Sequence, residues 1–124
     1  MPYNVIVVDD DRKTANYISD MLRLLGHTVL TMFTPRSAIR QLGEVVPDVI
    51  FLDVNMPGID GFEVCRYLRR DPVTAELPIV VISANSESTY KDIAVMAGAN
   101  LYLVKPVSIE ELEAALSSVL STRA

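Results

Sequence analysis

Five short apolar runs recur along this chain, and four of them stop at an ionisable or hydroxyl residue. Val5-Ile6-Val7-Val8 ends at Asp9-Asp10-Asp11, Val49-Ile50-Phe51-Leu52 at Asp53, Ile79-Val80-Val81-Ile82 at Ser83-Ala84, and Leu101-Tyr102-Leu103-Val104 at Lys105-Pro106; Val29-Leu30-Thr31-Met32-Phe33 is the fifth run. Segments without polar alternation fit strands buried on both faces, as in a parallel sheet covered by helices.

Between the runs the period changes to that of a helix. Ala15, Ile18, Met21, Leu22 and Leu25 share one helical face, and Gly26 marks its end. Thr34-Pro35 reads as cap and first position of a second helix carrying Ala38, Ile39 and Leu42 and stopping near Gly43. A third helix is expected from Gly61 to Arg69, with Val64, Cys65 and Leu68 inward, and a fourth from Glu87 to Ala97, with a thin stripe of Tyr90, Ile93, Ala94 and Ala97. Ser108-Ile109-Glu110-Glu111 is a capping box ahead of the clearest stripe, Leu112, Ala115, Leu116, Val119 and Leu120. The pattern is (βα)5, an α/β chain. Parallel strands need right-handed crossovers, so the architecture it implies is a doubly wound open sheet with helices on both faces.

At 124 residues the chain is one domain's worth and can bury a core without a disulfide or structural metal. With 50% hydrophobic and 22% charged residues it is globular rather than disordered. Its one cysteine, Cys65, has no internal partner, MPYNVIVVDDD is not a signal peptide, and no apolar stretch approaches the ~20 residues that span a bilayer. These features point to the cytoplasm and away from membranes. A net charge of −5 argues against direct nucleic acid binding, which needs a basic face.

The carboxyl ends of parallel strands lie on one edge of a sheet, so Asp9, Asp10, Asp53, Ser83 and Lys105 should converge there. Clustered carboxylates repel, and at least one pKa should rise unless a cation binds. Oxygen ligands in a partly wet cleft favour a hard divalent cation such as Mg²⁺. A carboxylate nucleophile beside a metal, an ammonium and a hydroxyl suits phosphoryl transfer.

With VVDDD, FLDVNMPGIDG, VVISANS and YLVKP in this order, the chain resembles, from end to end, the response-regulator receiver domain of two-component signalling. The resemblance implies a flavodoxin-like strand order of 2-1-3-4-5 and one receiver domain over residues 1–124. It makes Asp53 the phospho-acceptor and Asp9 and Asp10 the metal-binding pair, with Asp10 as direct ligand. The backbone carbonyl of Asn55 would complete the Mg²⁺ shell. Ser83 would hydrogen-bond a phosphoryl oxygen and Lys105 would pair with the phosphate. The Lys105-Pro106 peptide would be cis and Tyr102 the aromatic switch, while Asn55 and Asn85 would tune the phosphate's lifetime. The implied donor is a phosphohistidine on a histidine kinase or histidine phosphotransfer protein. The implied output is a change at the face of helix four, strand five and helix five that controls a downstream protein or an effector domain. Such a domain is a switch that catalyses only its own phosphorylation and slow dephosphorylation.

Each residue also has a plainer reading. Asp11 is assigned to helix capping and Asp60-Gly61 to the start of the third helix. Met56-Pro57-Gly58 suits a turn. Cys65 reads as an inert core thiol, His27 as an exposed turn residue, and Arg66, Arg69 and Arg70 as the solvated face and C-terminal turn of the third helix rather than a nucleic acid patch. The stretch from Asp71 to Glu76 reads as a longer surface loop. Asn100 stands where an acid is often found in dimerising DNA-binding relatives, which weighs against symmetric dimerisation through this face. The chain carries no effector domain, so it is either a stand-alone receiver or one piece of a longer protein. The alternative function is a receiver fold that docks partners without phosphorylation; the full set of Asp9, Asp10, Asp53, Ser83 and Lys105 weighs against it. A flavodoxin lacks support because no phosphate loop follows the first run. A dehalogenase-like phosphatase would carry its nucleophilic Asp after the first strand and needs a larger chain.

Overall fold

The structure, a computed structural model, describes residues 2–56 and 59–120. Five strands, β1 (Asn4–Val8), β2 (Thr28–Met32), β3 (Val49–Asp53), β4 (Ile79–Ser83) and β5 (Leu101–Val104), form one sheet. All neighbours are parallel and the order is 2-1-3-4-5. The helices are α1 (Arg12–Leu24), α2 (Pro35–Leu42), α3 (Gly61–Arg70), α4 (Ser88–Ala97) and α5 (Ile109–Leu120).

Strand alternation builds two cores. Ile6, Val8, Ile50, Leu52, Ile79 and Val81 face α2, α3 and α4. Val5, Val7, Val49, Phe51, Val80 and Ile82 face α1 and α5. The central strand β3 is buried along its whole length, which explains its unbroken apolar run. The edge strands β2 and β5 are more exposed. The second strand begins and ends one residue before the expected Val29–Phe33.

The local signals act as expected at most helix ends. Asp11 accepts from Lys13 N–H, Thr34 from Ser37 N–H and Asp60 from Phe62 N–H. Ser108 and Glu111 exchange both hydrogen bonds of the capping box. Between β3 and α3 a short antiparallel ribbon joins Asn55–Met56 to Ile59–Asp60. The turn expected at Met56-Pro57-Gly58 falls on residues 57 and 58, outside the described residues. Gly61 is required at the start of α3 because a Cβ there would overlap Val54.

Two plainer readings need correction, and the expected surface loop from Asp71 to Glu76 has one buried anchor. His27 is half-buried rather than an exposed turn residue: its Nδ1 accepts the Tyr3 N–H at 3.1 Å and its ring stacks on Tyr3. Arg69 does not lie on a solvated face. Its guanidinium donates to the carbonyls of Gly98, Thr74 and Ala75 and to Asn100 Oδ1, tying the end of α3 to the next loop and to the end of α4. The loop from Asp71 to Glu76 is anchored by a buried Thr74, whose hydroxyl donates to the Leu68 carbonyl at 2.6 Å.

Candidate functional site

Strand register assembles the site. Val8 pairs with Leu52, so the next residues, Asp9 and Asp53, stand side by side. Asp53 pairs with Ile82, which puts Ser83 one step beyond it on β4. Ser83 pairs with Val104, and Lys105 N–H continues the ladder to the Ser83 carbonyl at 2.8 Å. Four separate strands therefore deliver their terminal polar residues to one place.

Asp9, Asp53 and Ser83 are buried, and Asp10 is exposed. Asp9 is held on three sides. Its N–H donates to the Met32 carbonyl, Oδ1 accepts from Asp11 N–H at 3.0 Å, and Oδ2 accepts from Lys105 Nζ at 2.8 Å. Asp53 Oδ1 accepts from Asn55 N–H at 3.1 Å and lies 3.7 Å from Lys105 Nζ.

The electrostatics follow from this burial. Loss of water pushes the Asp53 carboxyl up to about 6; the Asn55 N–H and Lys105 oppose the rise, and the charge of Asp9 adds to it. Burial acts against the Lys105 ammonium, but its hydrogen bond to Asp9 and the charges of Asp53, Asp9 and Asp11 outweigh that and hold its pKa above the ordinary lysine value.

One carboxylate oxygen from each of Asp9, Asp10 and Asp53 lies within 4.8 Å of the others. Such a donor set, all hard oxygens and partly open to solvent, fits Mg²⁺ and not a soft metal.

Residues 5–117 match the family model for the response regulator receiver domain. The chain belongs to this family. As a receiver domain it is 40% identical over 121 residues to the transcriptional regulatory protein AfsQ1 of Streptomyces coelicolor, covering 97% of this chain and 52% of AfsQ1. It thus spans about half the length of that relative. It is also similar to the crystal structure of a putative response regulator from Chloroflexus aurantiacus (34% identity, TM-score 0.92, 98% of this chain and 99% of that one). A third likeness is to the receiver domain of the sensor histidine kinase PA1611 of Pseudomonas aeruginosa, solved with a magnesium ion coordinated in its active-site cleft (27% identity, TM-score 0.86, 96% and 98% coverage).

The remaining expected residues also lie at this end of the receiver. The Lys105–Pro106 peptide is cis. Tyr102 is half-buried, and its hydroxyl donates to the Asn85 carbonyl at 2.6 Å. The side chain of Asn55, read from sequence only for its carbonyl and its effect on lifetime, donates through Nδ2 to Ser83 Oγ at 2.8 Å. Asn85 N–H donates to the same oxygen at 3.0 Å. No spacing rule announces a bond between residues 28 positions apart on different strands. Among the described residues, no helix is long and apolar enough to cross a membrane.

Proposed function

We propose that this receiver domain, spanning residues 1–124, is a phosphorylation-operated switch whose phospho-acceptor is Asp53. The donor is a phosphohistidine on a histidine kinase or a histidine phosphotransfer protein. An Asp53 carboxylate oxygen attacks phosphorus, the P–N bond breaks, and the imidazole nitrogen keeps the bonding pair. Near neutral pH Asp53 is ionised and able to attack, since its pKa lies at about 6. Lys105 then holds one phosphoryl oxygen and the Ser83 hydroxyl donates to another. Attack by water later releases phosphate and restores the carboxylate, so the domain catalyses only its own phosphorylation and slow dephosphorylation.

Asp9, Asp10, Asp53 and the Asn55 backbone carbonyl would hold Mg²⁺, which when bound offsets the negative charge of the phosphoryl oxygens. The magnesium-bound PA1611 receiver supports this choice of ion. The output is the face of α4, β5 and α5, with Tyr102 as its aromatic switch and a downstream protein or effector domain as its partner. The acidic charge disfavours direct nucleic acid binding. The setting this implies is cytoplasmic.

The observation that carries the reading is a buried Asp53 with two acidic neighbours within 4.8 Å and a lysine at 3.7 Å. The test is incubation with acetyl phosphate and Mg²⁺, followed by intact mass. Wild type should gain one phosphoryl group, and Asp53→Ala and a chelated sample should gain none. No gain in wild type, or an equal gain in Asp53→Ala, overturns it.

A further inference from the structure

His27 closes a corner at the edge of the sheet opposite the acidic site. It follows Gly26, whose φ of +96° turns the chain from α1 into β2. Its backbone N–H donates to the Leu22 carbonyl at 3.2 Å, and the N–H of the next residue, Thr28, donates to the Tyr3 carbonyl at 3.0 Å. The imidazole completes the corner: Nδ1 accepts the Tyr3 N–H at 3.1 Å, and the two rings stack with centroids 5.5 Å apart. A backbone N–H can only donate, so Nδ1 carries no proton and the neutral ring holds its proton on Nε2.

Tyr3 and His27 share a cavity of about 420 Å³ with Glu113 and Ser117 of α5. The ionisable groups lining it besides His27 are the Tyr3 phenol and the exposed Glu113 carboxylate. On α1 the Arg23 guanidinium is bound to Asp20 and to the Val29 carbonyl, and beyond Tyr3 the Asp48 carboxylate accepts from Asn4 N–H. Burial, and after it the positive amino terminus, lowers the His27 pKa from the ordinary histidine value. The Tyr3 bond therefore holds at neutral pH.

Protonation reverses the arrangement. Nδ1–H and the Tyr3 N–H become two donors facing each other, so the bond must open. The imidazolium then needs an acceptor, and Glu113 offers a carboxylate across the shared cavity. We infer that His27 is an acid-operated latch: when neutral it ties the start of β1 to β2, and when protonated it releases Tyr3 and pairs with Glu113 on α5. The latch lies apart from the acidic site and does not depend on the phospho-acceptor reading. It gives α5 a second input, a proton taken up at the opposite edge of the sheet.

The sequence has a single histidine, so ring ¹⁵N NMR reads this group alone. At pH 7.5 wild type should show the Nε2–H tautomer. On titration to pH 5, Nδ1 should take up its proton with a midpoint below the ordinary value of 6.5. The Tyr3 amide and the Glu113 and Ser117 amides should move with that same midpoint. Protection of the Tyr3 amide, corrected for intrinsic exchange, should fall about tenfold, as expected for the loss of one hydrogen bond. His27→Asn places an amide oxygen near the position of Nδ1 and cannot titrate; it should keep Tyr3 protected and the α5 amides flat down to pH 5. Glu113→Gln should keep the release of Tyr3 and lose most of the α5 response. A Tyr3 amide that stays protected in wild type while the ring titrates overturns the latch. So does a response of Tyr3 and α5 that survives unchanged in His27→Asn, because another group is then titrating. An α5 response of full size in Glu113→Gln overturns the pairing with α5.

Discussion

Lys105 Nζ sits 2.8 Å from Asp9 Oδ2 and 3.7 Å from Asp53 Oδ1, so this ammonium is bound first to Asp9, just past the end of β1. The resting site is therefore an internally paired lysine beside a carboxylate that burial makes reluctant to ionise.

That reluctance gives a pH dependence whose sign can be worked out. Between the ordinary carboxylate value of 3.8 and about 6, the folded protein holds a proton on Asp53 that the unfolded chain has lost. Stability then falls as pH rises, and the loss is complete above about 6. At 1.36 kcal/mol per pH unit it amounts to roughly 3 kcal/mol. In chelator, Asp53→Asn should therefore melt higher than wild type at pH 7 and close to it at pH 4. Thermal melts at the two pH values decide the matter.

Mg²⁺ should remove much of the same penalty in wild type. Binding to the folded state alone contributes about 2.7 kcal/mol at a hundred times the dissociation constant. The rise in melting temperature with Mg²⁺ should be smaller in Asp53→Asn, as differential scanning fluorimetry over a Mg²⁺ titration would show.

Replacing Lys105 with Met leaves Asp9 and Asp53 buried without their cation. A loss of about 2 kcal/mol is expected at pH 7, below the full value for a deeply buried pair because the lysine side chain is 22% exposed. The raised Lys105 pKa keeps its ammonium charged through the neutral range, and its attraction to Asp53 weakens as that carboxyl takes up a proton below about 6. Urea unfolding at pH 7 measures the loss.

Arg69 offers a test of packing rather than chemistry. Removing it takes the Arg69 donor from the carbonyls of Gly98 and Ala75 and one of two donors from the Thr74 carbonyl and Asn100 Oδ1, which also accept from Leu77 N–H and Ile79 N–H, and should cost about 2 kcal/mol. Arg69→Lys should recover little, since an ammonium lacks the planar fork that reaches these loops at once. Denaturant melts of both variants provide the comparison.

Cys65 is fully buried, and desolvation pushes its thiol up to about 11. A thiol reagent at pH 7.5 should label it only as fast as the protein opens, and at once in denaturant.

Much of this was legible in the chain itself. Unbroken apolar runs gave β1, β3 and β4 because those strands are covered on both faces, and side-chain caps placed most helix starts. Strand-end polarity gave Asp9, Asp10, Asp53, Ser83 and Lys105 because parallel topology sends those ends to one edge. Arg69 and His27 were misread because their partners, Gly98 and Tyr3, lie 29 and 24 residues away and depend on tertiary packing. The Asn55–Ser83 bond was missed for the same reason: a polar loop residue gives no sign of where its side chain will reach.

The site draws Asp9 and Asp10 from just beyond β1, Asp53 from β3, Ser83 from β4 and Lys105 from just beyond β5, and 96 residues separate the Lys105–Asp9 pair. No single hairpin or βα unit holds the constellation. A chain that has formed only its first half, or has slipped one register, lacks either the lysine or the aligned carboxylates. If the site acts as proposed, competence to be phosphorylated is conditional on completed folding, so the chemistry itself proofreads the chain and a misassembled copy stays silent.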